Sequence, residues 1–219
     1  MISVPKANKE EMNMMKTEKM NKIAKILVTV FKIAKVLTVV CMVACGVALL
    51  SALAAKLFNL APEMIGEGFN VWTLGPVSLT MAEGYAPDYG VVLWQIMVAA
   101  GIAVGMMAVA RFAADCVIRI LQPVCEGKPF MGQVGENLKK LSGLMVIMGI
   151  MNNVLTLSET LFVSFGYKAA EMIVSDKVAH VAVNYNLDLT FLIKAAAVLL
   201  IAYIFEYGQS LQQLSDETL

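Results

Sequence analysis

The sequence predicts an all-α membrane protein: a four-helix transmembrane bundle with a small extracytoplasmic β element. Three observations carry this. The chain has 219 residues, of which 59% are hydrophobic, and its mean hydropathy is +0.73. Charged residues make up 16%, against about 25% in ordinary soluble domains. Four stretches stay apolar for about the 20 residues a helix needs to cross about 30 Å of hydrocarbon. A soluble globular domain, a disordered chain, a collagen-like chain and a disulfide-stapled scaffold are all excluded by these numbers.

Taken in order, residues 1–35 form a basic segment. Eight lysines fall here against Glu10, Glu11 and Glu18. Within it, Glu18, Lys22, Lys25, Thr29 and Lys32 recur at helical spacing, with Ile23, Ile26, Leu27, Val30, Phe31 and Ala34 on the other side. Such a helix suits an anionic membrane surface. It equally suits a cytosolic extension of the first span whose lysines snorkel.

The four-span domain is 36–219, with spans at about 36–55, 90–110, 141–165 and 190–207. The first two are uncharged and close on Lys56 and Arg111; the third carries Glu159, and the fourth Lys194 and Glu206. Ala52-Leu53-Ala54 imitates a signal-peptide cleavage site. The apolar run is longer than the 7–15 residues of a signal h-region, so the span is read as uncleaved.

The connection at 111–140 holds Arg111, Arg119, Lys128, Lys139 and Lys140, whereas 56–89 holds Lys56 with Glu63, Glu67, Glu83 and Asp88. Basic flanks stay in the cytoplasm. The expected order is therefore inner amino end, outer loop 56–89, inner loop 111–140, outer loop 166–189 and inner tail 208–219. Val71–Leu74 and Val77–Thr80 flank Gly75-Pro76, and Val181, Val183, Tyr185, Leu187 and Leu189 alternate. Both patterns have the period of strands, so a small outer sheet built from both loops is expected.

Lipid gives helices no hydrophobic reason to associate; close backbones and polar contacts do that. Gly101, Gly105 and Ala108 share one helix face, and so do Ala44, Ala48 and Ala52. Both stripes are expected at helix contacts, within one chain or between copies of a homo-oligomer. A charge near the bilayer centre costs at least ~3 kcal/mol. By depth, Glu159 and Lys194 fall in the outer third of adjacent helices. They are expected to be neighbours or to share a polar pocket with Asn152, Asn153, Thr156 and Ser158. Glu206 is expected at the level of Arg111.

The inner connection carries Arg111, Asp115 and Arg119 at four-residue spacing, an ion ladder on an extended second helix. Gly127, Lys128, Pro129 and Phe130 then break the helix, with Phe130 expected to pack back. The run lacks the glycine spacing and the Ser/Thr of a phosphate-binding loop. A cytoplasmic partner surface is expected to combine this segment with the ladder and with the tail, including Leu211 and Asp216.

Chemistry-bearing motifs are scarce. His180 stands alone; Cys41, Cys45, Cys116 and Cys125 are placed in a span or inside, where no structural disulfide is expected. No catalytic fingerprint occurs, and the 16 methionines do not cluster with histidine. No cofactor, no metal, no enzymatic activity and no direct nucleic-acid binding are expected. The alternative to a sensor or partner-holding protein is a small transport, channel-subunit or immunity-type protein using the Glu159/Lys194 region.

The inner Gly127-Lys128-Pro129-Phe130, the following Asn137-x-x-Lys140-Leu141 and the terminal Phe205-x-Tyr207-Gly208-x-x-Leu211-Gln212-x-Leu214-Ser215-Asp216-Glu217-Thr218-Leu219 resemble the bacterial membrane family called domain of unknown function 2975. The resemblance covers residues from about 30 to 219; Met131-Gly132 depart from the Ser/Thr the family often places after Pro-Phe. It implies a bacterial inner-membrane protein without an established activity. It also implies a gene neighbourhood shared with a small helix-turn-helix regulator, hence a membrane-bound partner of a cytoplasmic transcription factor.

Overall fold

Long runs without proline or a polar break favour the one backbone form that satisfies its own hydrogen bonds in an apolar medium. A computed structural model describes residues 6–58, 71–74, 77–80, 89–126, 133–162, 164 and 187–217, and the side chains of these except 6–17, 71–74, 77–80, 89 and 216. Helix α1 is Lys6–Phe58, α2 is Tyr89–Cys125, α3 is Val134–Leu161 and α4 is Thr190–Glu217. All four are long and apolar enough to cross a membrane.

Their apolar side chains face outward. In the most apolar window of each helix, between 6% and 17% of residues are buried. On α1, Val36, Val40, Val43, Val47 and Leu50 are each more than half exposed. A soluble protein seldom leaves so large an apolar surface uncovered; a bilayer covers it. Hydroxyls in these helices are satisfied internally. Thr38 donates to the Lys35 carbonyl at 2.8 Å, Ser51 to Ala48 at 2.9 Å and Thr160 to Thr156 at 2.8 Å. Each bond removes the cost of an unpaired donor in an apolar setting.

The helices outrun the apolar segments. Residues 17–35 continue α1 without a break at Val36. Helix α3 starts at Val134 rather than near 141, because Gln133 supplies the first acceptor. Its carbonyl takes the Asn137 backbone N–H at 3.0 Å and the Asn137 side-chain amide at 2.7 Å. Its α-helical part ends at Leu161 and the described residues 162 and 164 continue it as π-helix, while α4 runs ten residues past Tyr207 to Glu217.

Between α1 and α2, β1 (Val71–Leu74) pairs antiparallel with β2 (Val77–Thr80), Val71 opposite Thr80 and Leu74 opposite Val77. The expected sheet drawing on both outer loops is unsupported. Residues 181–186 lie outside the described residues, and Leu187 and Leu189 are exposed and irregular ahead of α4.

The chain divides into two compact units. One takes residues 1–40, 107–149 and 189–219; the other takes 41–106 and 150–188. In the second unit, Val92 and Leu93 at the start of α2 are 2% and 1% exposed, and Ala52 of α1 is buried. The Lys56 ammonium sits 3.9 Å from the centroid of the Trp94 ring. Asn153 clamps the chain ahead of α4: its amide donates to the Asp188 carbonyl at 2.8 Å and its oxygen accepts the Asp188 N–H at 3.0 Å.

Candidate functional site

The charged side chains of the first unit gather where its helices leave their uncharged runs. Lys35 of α1 donates to the Asp115 carboxylate of α2, both about a third exposed. Lys139 of α3 bonds the Glu206 carboxylate of α4 at 2.7 Å and lies 4.7 Å from the Tyr203 ring centroid. Each link joins two helices.

Small residues position the second link. A Cβ on Gly135 would stand 2.6 Å from Glu206 Cγ, so the bare glycine is what lets the glutamate stem cross α3. Seven residues on, the buried Ser142 donates to the Ala195 carbonyl at 2.8 Å. Seven further, Gly149 takes the Phe191 ring directly against its backbone. Ala195 and Ala202, also seven apart, are buried on α4. This is a knobs-into-holes seam between antiparallel helices, with small residues at heptad spacing.

Between α2 and α3 the unit opens into a cleft of about 470 Å³, lined among others by Phe112, Asp115, Cys116, Arg119, Asn137 and Lys140. A more polar hollow of about 250 Å³ adjoins it, sharing Arg119 and Asn137 and adding Gln122, Glu126 and Gln133. Arg119 and Lys140 are exposed, while Cys116 and Asn137 are buried. The arrangement offers two accessible cations over a partly apolar floor with amide donors at its edge. That can bind a polar or acidic surface. Among the described residues, no three His, Cys, Asp or Glu side chains converge to hold a metal.

The sequence-predicted residues fall unevenly. Asp115 and Arg119 line the cleft, but the ladder is not made: Asp115 is bound to Lys35 instead. Arg111 is half-buried and opens onto a different groove, with α1. Its expected counterpart Glu206 is held by Lys139. Leu211 is 49% exposed on α4. Gly127, Lys128, Pro129, Phe130 and His180, and the side chain of Asp216, lie outside the described residues.

The residues of the expected polar pocket are divided between the units: Asn152, Asn153, Thr156, Ser158 and Glu159 lie in the second and Lys194 in the first. Asn152, Thr156 and Glu159 form an exposed stripe on α3, and Lys194 is exposed on α4. Neither Glu159 nor Lys194 has an ion-pair partner among the described residues. Asn153 is engaged with Asp188, and Ser158 donates to the Leu155 carbonyl.

The small-residue stripes pack only in part within the chain. Gly101 has open space around it, and Ala44 and Ala48 are exposed. Gly105 does pack: a Cβ there would lie 2.6 Å from Met151 Cε. The seam of Gly135, Ser142 and Gly149 is not among the stripes expected from sequence, although its seven-residue spacing is written there.

All four cysteines are free thiols. No family model, no curated protein and no solved structure matches this chain.

Proposed function

We propose that this chain is a non-catalytic, multi-pass bacterial inner-membrane protein that holds a soluble regulatory partner on its cytoplasmic side. Both termini lie in the cytoplasm, and the β1–β2 connection lies outside, where it belongs to a sensing cap. The partner is a small helix-turn-helix transcription factor, the class suggested by the resemblance of the Gly127–Phe130 and Phe205–Leu219 motifs. The single observation that carries the reading is the cleft between α2 and α3, where Arg119 and Lys140 stand exposed above buried Asn137 and Cys116. Lysine-rich flanks next to apolar runs support the orientation.

The test is co-purification of the solubilised full chain with the regulator encoded beside it. Arg119→Glu with Lys140→Glu should abolish capture while the chain still inserts. Absence of capture by the unmodified chain, together with unchanged target transcription on deletion, rejects the reading.

A further inference from the structure

A second opening of the first unit lies between α1 and α2 and shares only Asp115 with the cleft above. The sequence changes character there on both helices. On α1 the uncharged run begins at Val36, directly after Lys35; on α2 it ends at Ala110, directly before Arg111. The groove has a volume of about 510 Å³. Val36, Val39, Val40 and Ile118 give it an aliphatic lining, and Lys32, Lys35 and Arg111 stand at its charged end. Lys35 is neutralised by Asp115. Lys32 and Arg111 have no ion-pair partner among the described residues.

We propose that this groove binds one anionic phospholipid, its phosphate between Lys32 and Arg111 and the first carbons of an acyl chain along the three valines. The proposal needs the helices to cross a bilayer; it does not need the docked regulator. A free phosphate would gain nothing from the aliphatic lining. A zwitterionic lipid would leave the two surplus cations uncompensated. Arginine's planar fork suits a phosphate, and a lysine adds a mobile point charge.

The test is titration of phosphatidylglycerol into the detergent-solubilised full chain, with bound lipid counted by native mass spectrometry. One saturable site is expected, tighter for phosphatidylglycerol than for phosphatidylcholine. Each cation removed should weaken it about five-fold, and Lys32→Gln with Arg111→Gln about thirty-fold. Arg111→Lys should retain most of the binding. Lys19→Gln with Lys25→Gln, which removes the same charge from exposed positions of α1 outside the groove, should leave it unchanged. Should the groove pair fail to fold, exposed Lys32→Gln alone decides the matter. Equal affinity for phosphatidylcholine, equal losses in both double variants, no loss with Lys32→Gln, or displacement of the lipid by glycerol phosphate would each overturn the proposal. The last outcome would mark a soluble-phosphate site instead.

Discussion

Asp115 gives its carboxylate to Lys35, eighty residues away on another helix, although Arg111 and Arg119 flank it at four residues on its own. A pair within one helix steadies that helix alone. A pair between helices fixes which faces of α1 and α2 meet. The coupling should therefore appear in a double-mutant cycle. Lys35→Ala and Asp115→Ala should be non-additive by about 1 kcal/mol in thermal unfolding of the solubilised chain. Arg111→Ala with Asp115→Ala should be additive within about 0.5 kcal/mol. The reverse pattern would restore the ladder.

Lys139 and Glu206 make the matching test between α3 and α4. Glu206→Gln keeps the shape but removes the charge that holds the ammonium near Tyr203. A measurable loss of thermal stability is expected, and Lys139→Gln added to it should cost little more. Full additivity of the two would show that the ions act separately.

The glycines should separate by position. Gly149→Val should destabilise by about 2 kcal/mol or more, because the Phe191 ring occupies the space of any Cβ. Phe191→Ala in the same chain should recover part of that loss. Gly101→Ala, with open space around it, should be neutral or stabilising by up to about 1 kcal/mol through helix propensity. Equal costs at the two positions would remove the seam as the explanation.

The Asn153 clamp predicts a local effect. Asn153→Ala should release both hydrogen bonds to Asp188 and speed amide exchange at Asp188, with a global cost of about 1 kcal/mol or less at this half-exposed site. Unaltered exchange there would mean that the segment is held by something else.

Orientation is open to labelling. Single cysteines replacing Lys19 and Ser210, both exposed, should react with an impermeant reagent from the same side of the membrane, and one replacing Ser51 should not react from that side. Reaction of the first two from opposite sides would end the assignment of cytoplasmic and outer surfaces.

Much of the helix content was legible because hydropathy sums over a window and tolerates error at any one residue. The four apolar runs at 36–55, 90–110, 141–165 and 190–207 lie within or overlap α1, α2, α3 and α4. Helix ends were less legible, since they depend on a few local hydrogen bonds such as those accepted by the Gln133 carbonyl. The pairing of charges was the hardest part. Glu206 is expected from depth at the level of Arg111 yet binds Lys139, because the azimuth of each helix is set by the packing of its neighbours. Spacing read over three or four residues leaves Gly101 and Ala48 open within the chain. It was informative at seven residues, as at Gly135, Ser142 and Gly149.

That seam restricts how α3 and α4 can move. A glycine that admits a ring, a serine hooked to a carbonyl and a glycine that admits a carboxylate stem act as three detents along one rail. Sliding by a single residue, about 1.5 Å along the axis, would disengage all of them. Piston-like travel of one helix past the other is thereby barred. Any conformational message through this pair must be carried by the two swinging together.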